Sequence, residues 1–517
     1  MIIIGVLSMY DEALITGIAT LISDYRKTEL PAQLDANHVR RWISQFDKTE
    51  QQVVLQETFH VLTRNYYKIE RIHCFLRQVV DRLAESAPLD QYVFVDVQKQ
   101  GVSQKLIYQQ IDVDYRSRGF ECIHKSEDFG EHPGKFVYVD DGLYTGKRSK
   151  GDLLPLIEKL PANSTLYVFY MLVYSNGYSY WSGRITECGR ERGITVVFDY
   201  GKMLGNDRNN DHASVDIVWP SRDCRRLDEV QQYEKQLRET GKAHFIYSHE
   251  VSEESQSLFS SGEAGKRVSE IFLKYGLKLT NAIRKPTFRP LGFDRAPSFG
   301  FGSFCATDWN ISNTCPLVLW WGDMEDPNRM VGSWYPLLPR RSNETLYREI
   351  SEYEEEFSLA KYRDILLTVY RLASGERRIG AQKRAIRIEE LFQEPFDLDE
   401  PGKRRERSNL YQYLNSQDMN TIQVIQTVMY IGRDYAAPQY SEEEWEGIME
   451  RKAEDPEYDI PKPKLRVSNP EELLLAWRMD LDWVKGWQGK HIEIEQIYQK
   501  SQSLDQYLSR AFEILGV

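Results

Sequence analysis

Short apolar runs alternate with stretches of helical period through most of this chain. The runs at 92–95, 120–124, 136–139, 165–173 and 194–199 have the length and the mainly apolar character of buried strands. Between them the period lengthens. Helices are expected at 11–25, through most of 38–83, from about 103 to 118, at 150–160, and from a turn at 174–178 to about 192. Strands alternating with helices of this length imply right-handed βαβ units in a mostly parallel sheet, with ligands at the carboxyl ends of the strands. The helices of 38–83, including Trp42, are expected to pack on that sheet. Further on, 213–220 is expected as an edge strand, 227–241 and most of 253–281 as helix, and 298–304 as a glycine-bearing strand closely approached by other backbone. Beyond 342 the pattern is helical: 344–372 capped by Asn343, 421–435 capped by Asn420, then 470–486 and 491–515, with 453–470 as a Pro- and charge-rich linker.

One stretch carries chemistry. Phe136, Val137, Tyr138 and Val139 deliver Asp140, Asp141 and Gly142, followed by Leu143, Tyr144, Thr145, Gly146, Lys147, Arg148 and Ser149. Ser149 is a plausible cap for the helix at 150–160, which makes this a strand-to-helix turn. Free backbone N–H groups and the positive end of a helix favour a phosphate there. The paired carboxylates upstream suit the two adjacent hydroxyls of a sugar, or a magnesium ion held through water. A ribose 5-phosphate meets both demands.

This stretch resembles the phosphoribosyl pyrophosphate (PRPP) loop of type I phosphoribosyltransferases: an apolar strand, two acids, and a Thr-Thr-Gly-x-Thr turn. The resemblance implies that Asp140 and Asp141 hold the ribose hydroxyls as the catalytic pair, and that Thr145, Gly146, Lys147, Arg148 and Ser149 bind the 5-phosphate. Tyr144 stands where the first Thr is usual, and Arg148 where the last Thr is expected. Lys99, Gly101 and Ser103, in the turn after the first strand, occupy the place that binds pyrophosphate in such enzymes. Two further motifs, Trp42-x-x-Gln45-Phe46 and Cys315-Pro316 before an apolar run ending in Trp320-Trp321, are similar to phosphoribosyltransferase-like domains of prokaryotic conflict systems. By that likeness the context is antiphage defence, with toxins, nucleases or retron reverse transcriptases as companions. The expected cofactor is Mg2+, brought with PRPP or a nucleotide.

Composition narrows these readings. The 517 residues carry a net charge of -12, which argues against a surface that is electropositive throughout. No apolar run reaches the ~20 residues of a spanning helix, so a cytoplasmic protein is expected. Six cysteines without a CxxC pair read as free thiols, and Cys122 with His124 is too weak a pair to propose a metal site. Lys403, Arg404, Arg405 and Arg407 beside Tyr411 and Tyr413 form the best local basic patch, read first as a solvated segment and second as a nucleic-acid contact.

The expected organisation is an N-terminal helical segment (1–37), an α/β domain of type I phosphoribosyltransferase type (38–342) and an all-α partner-binding region (343–517). The expected function is an effector that transfers phosphoribosyl or cleaves a nucleotide at the ribose. The alternative is a non-catalytic nucleotide sensor or nucleic-acid-binding scaffold in a defence complex. Its partners would be a ribose-phosphate or nucleotide and a protein, a reverse transcriptase with its nucleic acid being one option.

Overall fold

The computed structural model describes residues 9–98, 103–115, 122–124, 129, 134–206, 215–247, 258–283, 287–294, 296–326, 332–340, 358–390, 408–436, 449, 451–452 and 467–517. The chain opens with α1 (Met9–Ile22), α2 (Ala36–Ile43) and α3 (Lys48–Asn65), then a two-residue strand β1 (Tyr66–Tyr67) and α4 (Ile69–Ser86). The sheet follows: β2 (Val93–Asp96), α5 (Ser103–Tyr115), β3 (Cys122–His124), β4 (Lys135–Leu143), α6 (Lys147–Lys159), β5 (Thr165–Tyr174), α7 (Ser175–Glu191) and β6 (Thr195–Leu204). The strand order is β3-β2-β4-β5-β6 and every pairing is parallel. The expected α/β class with a parallel sheet is therefore what forms.

Alternation along the strands builds two cores. Phe94, Val137, Val139, Phe169 and Met171 face one way, onto α4 and α5 through Phe75, Leu76, Val79 and Ile107. Val93, Val95, Phe136, Tyr138, Leu166 and Tyr170 face the other, onto α6 and α7 through Leu153, Ile157, Trp181 and Ile185. Side chains two apart share a face, so β2, β4 and β5 feed both layers. This places β4 in the middle of a three-layer sandwich.

The helices before α4 do not pack on the sheet as expected. Together with α8 (Asp228–Arg238), α9 (Gly262–Ile283), the hairpin β7 (Phe288–Arg289) and β8 (Gly292–Phe293), β9 (Ala306–Thr307) and the short α10 (Leu317–Trp320), they form a separate core. There the two side motifs meet. The indole N–H groups of Trp42 and Trp334 both donate to the Val318 carbonyl at 2.9 Å, and the Gln45 side chain pairs with the backbone of Tyr335 at 2.9 and 2.8 Å. A period of 3.6 says that a face is buried, not against what, so packing on the sheet was not decidable from the pattern.

Other departures have local causes. No strand forms at 215–220 or 298–304; a single bridge joins Ile217 to Ser303. The close backbone approach is real, however: Gly302 (φ 79°) leaves no room for a Cβ beside the Val218 carbonyl, 2.5 Å away.

The C-terminal part is helical: α11 (Leu359–Glu390), α12 (Asn409–Ser416), α13 (Met419–Asp434), α14 (Pro470–Val484), α15 (Lys490–Tyr498) and α16 (Leu504–Leu515). Asn343, Lys403, Arg404, Arg405 and Arg407 lie outside the described residues. The cap of α13 is Asp418, which accepts from Thr421 N at 2.8 Å, not Asn420. The single helix expected at 491–515 is two, joined by a turn through Ser501 and Ser503. These helices close a core of their own and dock on α8 and β7.

Candidate functional site

β4 runs further than its apolar residues indicate, so both acids lie within the strand rather than beyond it. Asp140 follows Tyr138 by two and shares its face. It is buried, and accepts from Ser103 Oγ at 3.0 Å, from the Tyr138 hydroxyl at 3.3 Å and from Asp141 N at 2.9 Å. The Tyr138 hydroxyl also reaches Asp152, in the second turn of α6, at 3.1 Å. Asp141 is half-buried beside Asp140 and Ser103.

The turn beyond β4 differs from expectation in one respect. Gly146, in the left-handed conformation (φ 75°, ψ 1°), starts the helix at Lys147, so Ser149 is not its cap. Ser149 sits buried in the first turn and accepts from the Tyr170 hydroxyl at 2.7 Å. No side chain caps α6. Its leading N–H groups are thus available to an anion, with the helix dipole behind them. A Cβ on Gly146 would lie 1.7 Å from Trp181, whose indole N–H donates to the Thr145 carbonyl at 3.0 Å. The glycine serves a close approach, but to a tryptophan of α7. Tyr144, which departs from the family pattern, turns inward against Tyr174 and Phe301, with its hydroxyl 3.4 Å from Cys305 Sγ.

Ser103 alone of the three pyrophosphate-turn candidates is described, and it reaches the site through Asp140. Lys99 and Gly101 lie outside the described residues, as does the side chain of Lys147. Beside them Gln104 organises the turn: its Oε1 accepts from Val97 N at 3.0 Å and Gln98 N at 3.3 Å, while its Nε2 donates to the Val139 carbonyl at 3.2 Å. The buried Gln98 Nε2 has no partner among the described residues.

Charge is crowded here. Burial, then the neighbouring Asp140 carboxylate, pushes Asp141 up to about 7 against the pull of Arg148. Burial and Asp140 likewise push Asp152 up to about 6. Enclosure works to lower the Arg148 guanidinium, but Asp140 and Asp141 outweigh it and hold the group firmly protonated. Arg148 nonetheless keeps exposed surface.

Sequence reasoning overlooked Tyr138, Asp152, Tyr170, Trp181 and Gln104. Tyr138 could have been found from the period-2 rule, since it precedes Asp140 by two in a strand. The others come from different elements and leave no local signal.

A raised carboxyl pKa means the folded state holds a proton that the unfolded chain has released. Stability therefore falls as pH rises from the ordinary Asp range near 4 towards 7, by up to about 1.4 kcal/mol per pH unit for one proton. Urea midpoints between pH 4.5 and 7.5 should show this decline in the wild type and a shallower one in Asp141→Asn. Parallel curves would remove the strain assigned to Asp141.

Among the described residues no three His, Cys, Asp or Glu side chains gather as a metal-binding group. Asp140 and Asp152 flank the Tyr138 hydroxyl at 3.3 and 3.1 Å with Asp141 adjoining, so carboxylates gather here opposite Arg148. No helix among the described residues is long and apolar enough to cross a membrane. Cys74, Cys188, Cys224, Cys305 and Cys315 are free thiols. A family model described as PRTase-CE matches residues 39–340, more than half of the chain. No curated protein and no solved structure matches it.

Proposed function

Because the chain belongs to the PRTase-CE family, whose model spans its phosphoribosyltransferase-like domain, we propose that the β4–α6 turn binds the ribose 5-phosphate moiety of PRPP or a nucleotide. The observation that carries this reading is the pairing of opposite chemistries along one short segment: two carboxylates at the end of β4, then an uncapped helix N-terminus with Arg148 in its first turn. Asp141 hydrogen-bonds the ribose hydroxyls, and Asp140 fixes the carboxylate arrangement from below. The leading N–H groups of α6 and the Thr145 hydroxyl hold the phosphate. Asp140 and Asp141 would hold a magnesium ion through water, and the ion would supply charge that offsets pyrophosphate.

The reaction we propose is phosphoribosyl transfer or nucleotide cleavage at the ribose, with the acids steadying positive charge that develops at the anomeric carbon. We propose antiphage defence in the cytoplasm as the context, on the resemblance to conflict-system domains, with the C-terminal helices as the surface for a protein partner, a retron reverse transcriptase among the options. A second reading, a sensor that binds a nucleotide without turnover, is favoured by Arg148, whose guanidinium can grip a phosphate by two bonds where a threonine makes one.

Calorimetry with PRPP and ribose 5-phosphate in magnesium tests the site. Thr145→Ala should cost about 1.5–3 kcal/mol of binding, and Asp140→Asn with Asp141→Asn should abolish ribose recognition while the chain stays folded. If the wild type binds neither compound, the turn is inherited architecture without its ligand. Mass spectrometry of nucleotides incubated with the chain then separates the readings: released base means an enzyme, and an intact, tightly held nucleotide means a sensor.

A further inference from the structure

Away from the β4–α6 turn lies a cationic pocket. After the helical turn at Arg222–Arg226, α8 runs from Asp228 to Arg238, and the extended segment 242–247 returns alongside it. Between them is a cavity of about 350 Å³ lined by Arg222, Arg225, Arg238, His244, Phe245 and Tyr247, with Ala243 at its edge. Among the described residues no acid contributes to the lining. The compensating carboxylate, Glu234, is buried beneath and accepts from Arg225 at 2.9 Å and Arg238 at 3.4 Å. Arg225 also donates to the Tyr247 hydroxyl at 3.2 Å, and Arg222 makes no hydrogen bond or ion pair among the described residues. Arg225 and Arg238 lie over the rings of Tyr247 and Phe245, each 5.2 Å from the ring centroid. Both rings are anchored from behind by Phe299, at 5.6 and 4.8 Å, so their positions are fixed before any ligand arrives.

We propose that this pocket is a second binding site, for the phosphate and base of a mononucleotide. Guanidinium groups in excess over carboxylates recognise phosphate oxygens by two bonds at a time. A base stacks on a guanidinium plane as it does on an aromatic ring, and Arg225 and Arg238 present such planes over Tyr247 and Phe245. The volume lies at the low end of small-molecule pockets, about 300–1,000 Å³, which suits a single nucleotide rather than a groove that tracks a strand. The site shares no residue with the β4–α6 turn, so it stands whether or not that turn binds ribose phosphate.

Titration of the full-length chain with AMP is the test, made on wild type, on Thr145→Ala/Arg148→Ala to disable the turn, and on Arg222→Ala/Arg238→Ala. Binding should survive in the turn variant and weaken by tenfold or more in the double arginine variant, as lost charged hydrogen bonds require. Arg222→Lys, which keeps the charge but not the fork, should weaken it less. Both arginines are exposed, and an unchanged thermal midpoint in Arg222→Ala alone guards against misfolding. The proposal is overturned if the arginine replacements leave AMP affinity unaltered, or if all binding disappears with the turn. Inorganic phosphate binding as tightly as AMP would remove the base from the assignment. A 5′-phosphorylated dodecanucleotide binding tenfold tighter than AMP, with a steep salt dependence, would give the pocket to a nucleic-acid strand instead.

Discussion

Replacing Arg289 with alanine is expected to loosen the C-terminal helices from the rest of the chain and to lower stability by about 3–5 kcal/mol. Arg289 on β7 donates to Glu472 on α14 at 2.8 Å, with both side chains almost wholly buried. Burial works to lower the guanidinium, and Glu472, followed by Tyr233, more than compensates and raises it. Removing the arginine strands a carboxylate in an environment that cannot solvate it. The remaining contacts there are individually weaker: Trp477 Nε1 to the Thr240 carbonyl at 3.1 Å, the Tyr435 hydroxyl to the Glu239 carbonyl at 2.7 Å, and Lys242 to Asp480 at 2.7 Å. Urea unfolding followed by tryptophan fluorescence, with limited proteolysis between 340 and 358, measures the effect. Arg289→Met with Glu472→Leu should recover most of the loss, since an apolar pair leaves no stranded charge. A loss under about 1 kcal/mol for Arg289→Ala would show that the docking does not depend on this pair.

Gly146→Ala should be nearly as damaging, although it adds a single methyl group. The left-handed conformation costs a side chain about 1–2 kcal/mol, and overpacking against the buried Trp181 adds about 1–3 kcal/mol, about 2–5 kcal/mol together. Trp181→Leu in the same chain should return the packing share and leave the backbone share. Thermal or urea midpoints of the two variants distinguish these contributions. A neutral Gly146→Ala would mean that the turn shifts freely, and the argument for a preformed phosphate site would weaken with it.

The strands were legible because a strand covered on both faces must be apolar throughout, and β4 and β5 meet that condition over several consecutive residues. Asp140, Asp141 and the Gly146 turn were legible because neighbouring offsets along the chain carry that chemistry. The helix start was misread by three residues. A serine before a helical stretch is a plausible cap, and nothing local reveals that a glycine three residues earlier is held in the left-handed region by a tryptophan from another element. Tyr170, Trp181 and Asp152 converge only through the βαβ crossovers. The destination of Trp42 was out of reach for the same reason: its partner carbonyl belongs to Val318, 276 positions later.

That distance bears on how the molecule is made. The sheet and its helices come from one uninterrupted stretch, 67–204, whereas the core around Trp42 joins α1–α3 to residues that begin at Val218 and end near Leu338. On a ribosome adding about 5–20 residues per second, α1–α3 emerge and then wait about 8–30 s for the first of their partners. Through that interval Trp42 and Phe46 lack Phe272, Tyr275, Val318 and Trp334, which cover them in the finished fold. The sheet can condense early on local crossovers, while the Trp42 core closes last across a long loop, an order that topology favours. Chaperone demand during synthesis should thus follow the N-terminal helices, and a chain interrupted before Val218 should leave a folded sheet trailing three sticky helices.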